Sequence, residues 1–258
     1  MVEWLVAVVV GLVQGLLEWV PVSSEGSVAL ALTALERDPD VATQFALFLH
    51  AGTGVAATVY YRETLVDVLA DVPAWRPSSA FEGDSADLTF FGVATGISMV
   101  VGLAGYFTIE AIVSAVAGGA FVALVGVLLV GTGLLMRTAA ARGRSMRDQP
   151  DAVDAVLVGA LQGLAILPGV SRSGTTVSAL LLRGHPGGDS LELSFVLSIP
   201  AAFGAGVLVV LSDGIPAIDP ATAAIALVVS AIVGYLTVDA LTRVVERVAF
   251  WKVCVGFG

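Results

Sequence analysis

Three ionisable residues, Glu18, Glu25 and Arg172, lie in stretches of this 258-residue chain that otherwise consist of apolar and small residues. At the centre of a bilayer, an ionised side chain costs at least about 2.5–3.5 kcal/mol unless it is paired or hydrated, so such residues are candidates for function. Carboxylates bind divalent metal ions and arginine binds phosphate oxygens. Together these side chains could bind a phosphate group with its metal ion.

The neighbours of Glu18 add to this chemistry. Gln14 precedes Glu18 by four positions, which places both on one face of a helix. Ser23 and Ser24 come directly after a helix break at Pro21, where backbone N–H groups are free. This stretch therefore offers carboxylates, hydroxyls and amides within a few residues.

Arg172 lies in the run Gly-Val-Ser-Arg-Ser-Gly-Thr-Thr at residues 169–176. At the start of a helix, these hydroxyls and amides would form an anion site around one guanidinium. Two alternatives remain open: the small residues serve only close helix packing, and Glu18 forms a purely structural ion pair with Arg172. The predicted phosphate-binding residues are Gln14, Ser23, Ser171, Arg172, Ser173, Gly174 and Thr176.

The two stretches are copies of each other. Residues 7–26 and 155–174 align without a gap and are identical at ten of twenty positions, including glutamine, glycine and serine. They differ where chemistry would require it. The first copy has Glu18, Ser24 and Glu25 where the second has Ile166, Arg172 and Ser173.

Each copy predicts a re-entrant hairpin. An apolar run of about 14 residues precedes the break at Pro21 or at Pro168 and Gly169, whereas a full span needs about 20 residues. Broken helices at corresponding positions of two halves point to a binding site in membrane proteins built from repeats. The predicted hairpins are residues 5–35 and 153–183.

The rest of the chain predicts an integral membrane protein. It is 57% hydrophobic and 13% charged, with a mean hydropathy of +0.94, which excludes an ordinary soluble domain. We predict an all-α polytopic fold in one membrane domain, with repeats 1–137 and 138–258. Three spans per half make the repeat inverted. The predicted spans are 45–61, 88–106, 111–136, 190–211, 220–238 and 243–258.

Charge predicts the orientation and the habitat. The arginines in residues 137–150, Arg142 and Arg144 among them, place that segment in the cytoplasm. Both termini then lie outside, the active site opens outward, and the polar loop 62–87 could hold a short interfacial helix. The net charge of −10 favours a halophilic source. No nucleic-acid partner is expected. A homodimer is left open.

Two motifs resemble those of the undecaprenyl-diphosphatase (bacitracin-resistance) family. Residues 14–26 are similar to its first motif, residues 167–176 to its second, and residues 193–201 to a segment downstream. The resemblance implies a membrane phosphatase, dependent on Mg²⁺ or Ca²⁺, that recycles a lipid carrier for glycan assembly. Its substrate would be an undecaprenyl- or dolichyl-type pyrophosphate.

The resemblance also implies roles for individual residues. Glu18 would be the key carboxylate, Ser24 the nucleophile, and Arg172, Ser171, Ser173 and Thr176 the phosphate cradle. The chain departs from the family at Ser27, where the motif has histidine, so Glu18 or Glu25 would act as the base, or activity would be reduced or altered. The predicted catalytic residues are Glu18, Ser24, Glu25, Ser27 and Arg172, and the predicted metal ligands are Glu18 and Glu25.

Several alternatives remain open. A metal-bound water could replace Ser24 as the nucleophile. The same cradle could serve a polyprenyl-phosphate transporter, or a lipid-phosphate binding protein without activity. His50 lies inside a predicted span, where we favour packing over a role in the site. Arg183 and His185 are expected at the membrane interface.

Overall fold

A computed structural model describes residues 3–35, 39–115, 119–141, 147–212 and 219–257 of the chain. These residues form helices, two short 3-10 turns and connecting loops, and no strand occurs among them. The helices are α1 (Glu3–Leu17), α2 (Ser24–Ala34), α3 (Pro39–Tyr60), α4 (Arg62–Ala70), α5 (Ser85–Ala115), α6 (Gly119–Ala141), α7 (Ala152–Leu164), α8 (Arg172–Arg183), α9 (Gly187–Ser212), α10 (Pro220–Arg247) and α11 (Phe250–Phe257).

Four of the described helices contain segments long and apolar enough to cross a membrane, and this confirms the all-α polytopic membrane fold. The predicted spans 88–106, 190–211 and 220–238 lie inside α5, α9 and α10. The predicted span 45–61 lies almost wholly on α3, which is not one of the four. The four segments are Ser85–Thr108, Gly119–Ala141, Gly187–Leu211 and Pro220–Val245.

Two predicted spans extend over two described helices each. Residues 111–115 belong to α5 and residues 119–136 to α6, and residues 116–118 lie outside the described residues. Apart from Glu110, residues 88–136 carry no charge and no proline, so hydropathy does not mark where one helix ends. Residues 243–258 are also divided, because α10 continues to Arg247 and α11 begins at Phe250.

Each predicted hairpin consists of two helices around a short break. Residues 18–23 separate α1 from α2, and residues 165–171 separate α7 from α8. Ser23 Oγ accepts a hydrogen bond from the Gly26 amide at 3.2 Å, and Ser171 Oγ accepts one from the Gly174 amide at 3.1 Å. Such N-caps satisfy an N–H group that a helix start leaves unpaired, so they fix where α2 and α8 begin.

The first helix of each hairpin packs on a helix from the other half of the chain. A Cβ atom at Gly15 would lie 2.9 Å from the carbonyl oxygen of Ser230 in α10. A Cβ atom at Gly163 would lie 2.8 Å from the carbonyl oxygen of Ser98 in α5. Glycine at these positions therefore lets α1 approach α10 and α7 approach α5. The two halves exchange equivalent contacts.

Helices α3 and α9 pack against each other, with α2 on α3 and α8 on α9. This arrangement brings the two helix breaks to one place. Trp19, in the first break, is buried with Phe195 of α9, and their rings meet edge to face at 5.3 Å. The indole N–H of Trp19 donates to the carbonyl of Gly234 in α10 at 3.0 Å.

A charged cluster closes the other end of the second hairpin. The fully buried Asp154 accepts a hydrogen bond from Arg183 Nε at 2.6 Å and lies 3.0 Å from His185 Nε2. Burial acts to raise the pKa of Asp151, but hydrogen bonds from Arg147, the Asp154 amide and Arg183 outweigh it and hold that pKa below its usual value. Arg183 and His185, expected at the membrane interface, are therefore held inside this cluster.

The polar loop predicted to hold a short helix does contain α4, in which no residue is buried. Arg142 and Arg144, on which the predicted orientation partly rests, lie outside the described residues.

Candidate active site

Glu18 is the centre of a hydrogen-bond network that joins the two hairpins. Its side chain is only 4% exposed, and its Oε1 atom accepts a hydrogen bond from Arg172 Nη2. Its Oε2 atom accepts hydrogen bonds from Gln14 Nε2 at 2.9 Å and from Ser24 Oγ at 2.8 Å. The acidic hairpin thus meets the cationic hairpin at one carboxylate, and Gln14 of α1 lies one turn before Glu18, which directly follows that helix.

Arg172 is held on two further sides by α9. Its Nη1 atom donates to the carbonyl of Ser194 at 3.4 Å, and its guanidinium lies 5.9 Å from the centre of the Phe195 ring. The Phe195 side chain is itself buried against Trp19. A cation over an aromatic face is attracted by the ring quadrupole, so the guanidinium is fixed before a substrate arrives.

Backbone groups of the two breaks also meet. Ser23 Oγ accepts a second hydrogen bond from the Gly169 amide at 3.2 Å, so one hydroxyl ties the second break to the start of α2. Gly169 has φ +99°, and a Cβ atom there would lie 2.4 Å from the Val125 carbonyl oxygen of α6. Only glycine suits this position. In the first turn of α8, the Gly174 amide is bonded to the Ser171 cap and the Thr175 amide to the Ser171 carbonyl, which leaves the amides of Arg172 and Ser173 available to an anion.

A small polar pocket lies where the breaks meet. It adjoins a cavity of about 420 Å³ between α5, α7 and α9, which apolar side chains mostly line. Glu18, Glu25 and Arg172 border both spaces. Met99 and Val100 of α5, on the outer wall of the cavity, are 67% and 72% exposed. The polar pocket is lined by Glu18, Val20, Ser23, Ser24, Glu25, His50, Ala165, Val170, Ser171, Arg172 and Ser173.

Glu25 differs from Glu18 in having a free oxygen. The residue is 4% exposed, and its Oε1 atom is buried without a hydrogen-bond partner. A buried carboxylate oxygen is costly unless a cation or a donor binds it. Both oxygens of Glu18, in contrast, are engaged by Arg172, Gln14 and Ser24. Of the two predicted metal ligands, Glu25 is the one that fits a cation.

The described residues do not by themselves build a complete metal site. Within the described residues, no group of three or more His, Cys, Asp or Glu side chains could hold a metal ion. A divalent cation at Glu25 would need other oxygen ligands, and substrate phosphates commonly supply them to Mg²⁺.

Three predicted site residues bond within or beside their own helices instead of facing the pocket. Ser27 Oγ donates to the carbonyl of Ser23 at 2.9 Å. Thr176 Oγ1 donates to the carbonyl of Arg172 at 2.8 Å and lies 2.6 Å from Ser194 Oγ. Hydroxyls inside helices often bond to the carbonyl four residues earlier, and these two do so. The Gly174 amide is used by its cap.

His50 lines the pocket, although we favoured packing for it. Its Nε2 atom lies 3.5 Å from Glu18 Oε2, and its Nδ1 atom lies 2.9 Å from the carbonyl oxygen of Ala46. The sequence did carry a signal, because His50 is an ionisable residue inside an apolar segment, as Glu18 is.

The motifs that resemble a known family also match it in sequence comparison. The family model of the bacitracin resistance protein BacA matches residues 7–258. A protein named undecaprenyl-diphosphatase from Haloarcula marismortui is 60% identical over 257 residues, which cover 98% of this chain and 94% of that protein. Proteins of the same name from Methanococcoides burtonii and Geobacter sulfurreducens are 36% and 34% identical, covering 98% and 95% of this chain and 94% and 91% of theirs. The predicted resemblance is confirmed, and the predicted halophilic source fits the Haloarcula relative.

Proposed function

Since the chain belongs to the bacitracin resistance protein BacA family, we propose that it hydrolyses a polyprenyl diphosphate to the monophosphate carrier and inorganic phosphate. One observation carries this proposal. Arg172, Glu18 and the hydroxyl of Ser24 converge from two hairpins at the head of an apolar cavity. That combination suits a phosphate head group on an apolar tail.

The geometry supports Ser24 as the nucleophile. Its hydroxyl already donates to Glu18 Oε2 at 2.8 Å, which is within reach for transfer of its proton to the carboxylate. Attack of Ser24 Oγ on the terminal phosphorus would form a phosphoserine and release the lipid monophosphate. Water would then hydrolyse the phosphoserine and release inorganic phosphate.

The Arg172 guanidinium and the backbone amides of Arg172 and Ser173 at the start of α8 would bind the charged oxygens of the transferred group. Arginine matches phosphate geometry with two parallel hydrogen bonds, and fixed donors stabilise the charge that develops in the transition state. Because α9 already positions the guanidinium through Ser194 and Phe195, little reorganisation is needed during the reaction.

A divalent cation fits beside Glu25. When bound, Mg²⁺ or Ca²⁺ would neutralise charge on the diphosphate. Glu25 Oε1, which lacks a protein partner, would hold it together with phosphate oxygens. The two carboxylates and one guanidinium of the pocket also favour a further positive charge.

The apolar cavity would hold the first part of the lipid tail. Its volume of about 420 Å³ lies within the range of small-molecule pockets. Because Met99 and Val100 on its outer wall are exposed, the rest of a long tail could leave between α5 and α9 into the bilayer. Both undecaprenyl- and dolichyl-type chains fit this description.

The finer topology belongs to the same proposal. The exchange of contacts between α1–α10 and α7–α5 supports an inverted repeat, in which the first hairpin enters from outside and the second from the cytoplasm. The termini and the opening of the site would then face outward. Assembly as a homodimer remains a prediction for measurement of mass in detergent.

The test is release of phosphate from undecaprenyl and dolichyl diphosphate by the purified full chain, with Mg²⁺, Ca²⁺ or EDTA. We expect metal-dependent release that Glu18→Gln and Arg172→Ala abolish. Arg243→Ala is the matched control, since Arg243 forms an exposed ion pair with Asp239 on α10. Movement of polyprenyl phosphate across liposomes without any phosphate release would instead establish a transporter.

A further inference from the structure

We propose that His50 completes a proton relay in this site, in which its Nε2 atom takes up, through Glu18 Oε2, the proton that Ser24 loses. This inference rests on the proposed phosphatase function. It assigns the imidazole of the reaction to α3, whereas the family motif would place a histidine at Ser27 in α2.

The hydrogen bonds of His50 fix the roles of its two nitrogens. Nδ1 lies 2.9 Å from the carbonyl oxygen of Ala46, one helical turn earlier. A carbonyl oxygen only accepts, so Nδ1 carries the hydrogen, and in the neutral ring Nε2 is the nitrogen with a free lone pair. Nε2 lies 3.5 Å from Glu18 Oε2.

Ser24 and His50 share one carboxylate oxygen. Ser24 Oγ donates to Glu18 Oε2 at 2.8 Å, and His50 Nε2 approaches the same atom from α3. A proton that leaves the hydroxyl therefore has a path through Glu18 Oε2 to the imidazole, whose Nε2 atom lies 3.5 Å from that oxygen. The side chain of His50 is 16% exposed and borders both the polar pocket and the apolar cavity. The titratable side chains that line these spaces with it are Glu18, Glu25 and Arg172.

The packing of α3 holds His50 in this place. Two residues later, Gly52 lies so close to α10 that a Cβ atom would stand 2.0 Å from Ser230 Oγ and 2.7 Å from the Leu227 carbonyl oxygen. This close approach fixes the backbone of α3 beside His50, whose Nε2 atom lies 3.5 Å from Glu18 Oε2.

The other histidine of the chain shows what a structural role looks like. His185 is 3% exposed, its Nε2 atom lies 3.0 Å from Asp154 Oδ2, and it borders neither space. Ser27 offers no alternative, because its hydroxyl is bonded to the Ser23 carbonyl. Of these three residues, His50 alone places an imidazole beside the carboxylate that accepts the hydrogen bond of Ser24.

The proposed step balances as follows. Ser24 Oγ forms a bond to the terminal phosphorus, and the bond from that phosphorus to the bridging oxygen breaks, with its electron pair going to the lipid monophosphate. The proton of Ser24 passes to Glu18 Oε2 and on to His50 Nε2. When water later attacks the phosphoserine, His50 returns a proton to Ser24 Oγ. Of the two protons of the water, one is released to solvent and the other remains on inorganic phosphate.

The first test compares His50→Gln with His185→Gln in the full chain under identical conditions. General acid–base catalysis contributes about 100-fold or more, so we expect kcat of His50→Gln to fall at least about 100-fold while KM changes less than about threefold. His185→Gln should keep kcat within about threefold. A kcat within threefold of the unmodified chain in His50→Gln would overturn the proposal, as would a loss confined to KM.

The second test does not depend on turnover. The chain has two histidines, so ¹⁵N-histidine labelling with His185→Gln for assignment isolates the His50 ring. We expect the neutral ring to carry its hydrogen on Nδ1. A neutral ring with its hydrogen on Nε2 would overturn the relay, even if His50→Gln failed to fold. If the unmodified chain releases no phosphate, the proposed function fails, and that result is distinct from a failure of His50 alone.

Discussion

The two hairpins share a frame and differ in their chemistry. Both second helices start with a serine cap on a glycine amide, and both first helices press a glycine against a carbonyl of a helix from the other half. Within this frame, position 18 is glutamate in one copy and position 166 is isoleucine in the other. Packing positions were retained, whereas residues at the break changed.

The equivalent residues Gln14 and Gln162 show that a side chain retained in both hairpins can have different partners. Gln14 Nε2 donates to Glu18 Oε2, one turn away. Gln162, its counterpart, has Ile166 one turn away and donates instead to the Leu197 carbonyl at 3.1 Å and to Ser98 Oγ at 3.3 Å. The same side chain positions a reactive group in one hairpin and ties helices together in the other. Identity between repeats therefore does not establish an identical role.

The largest effect should come from the hydroxyl that distinguishes the first break. Ser24→Ala removes the proposed nucleophile, and we expect phosphate release to fall at least about 1,000-fold, or about 4 kcal/mol of barrier. Ser27→Ala is the matched control, because its hydroxyl bonds only within α2, and it should stay within about threefold. Equal losses in both variants would contradict the assignment of Ser24.

The charged cluster of the second hairpin has no counterpart in the first. The residue of the first hairpin that is equivalent to Asp154 is Val6. Asp154→Asn leaves Arg183 and His185 without their buried partner, and we expect a loss of about 3 kcal/mol of stability. Thermal unfolding in detergent measures it. Asp239→Asn, in an exposed pair with Arg243, should cost less than about 0.5 kcal/mol. Equal midpoint temperatures of unfolding for Asp154→Asn and Asp239→Asn would show that the cluster is not stabilising.

The shared frame predicts equal responses at equivalent glycines. Gly15→Ala and Gly163→Ala each place a methyl group within 3 Å of a carbonyl oxygen, and each should lose about 1–3 kcal/mol by overpacking. Gly96→Ala in α5, where a Cβ meets nothing within 4 Å, should be neutral or gain up to about 1 kcal/mol from helix propensity. A loss in only one of the two glycine variants would break the equivalence of the hairpins.

The smallest effect concerns the cation. Glu25→Gln replaces the free carboxylate oxygen by an amide, and we expect half-maximal activity to need about tenfold more Mg²⁺ or Ca²⁺, with maximal activity largely retained. Titration of phosphate release with the metal ion measures this shift. An unchanged metal requirement would remove Glu25 from the cation site.

The helices and the breaks could be predicted from the sequence, because proline, glycine and serine interrupt apolar runs at equivalent places. The boundary between α5 and α6 was misplaced, since hydropathy is uniform across it and the pair Gly118–Gly119, a local turn signal, was not used. The division at residues 248–249 was missed for a different reason. Charged residues such as Asp239 and Arg243 continue α10 beyond its apolar part.

The charged residues of the candidate site could be predicted from the sequence, whereas the directions of its side chains were harder to predict. Glu18, Glu25 and Arg172 stand out because charge is rare in this chain. Whether a hydroxyl faces the pocket depends on helix phase and local carbonyls, and Ser27 and Thr176 turn back to their own helices. The place of His50 in the site could not be predicted without the tertiary structure, because packing on α10 brings α3 to the first break.

The most direct test of the account is a double-mutant cycle across the two hairpins. Phosphate release from undecaprenyl diphosphate is measured for Glu18→Gln, Arg172→Gln and the double variant. Because Glu18 and Arg172 are joined in one site, we predict that each single change lowers kcat/KM at least about 1,000-fold and that the double variant is no more than about tenfold worse, since residues that act as a unit are not additive. Losses that simply multiply, or single variants that retain activity, would contradict convergence of the two hairpins on one phosphate.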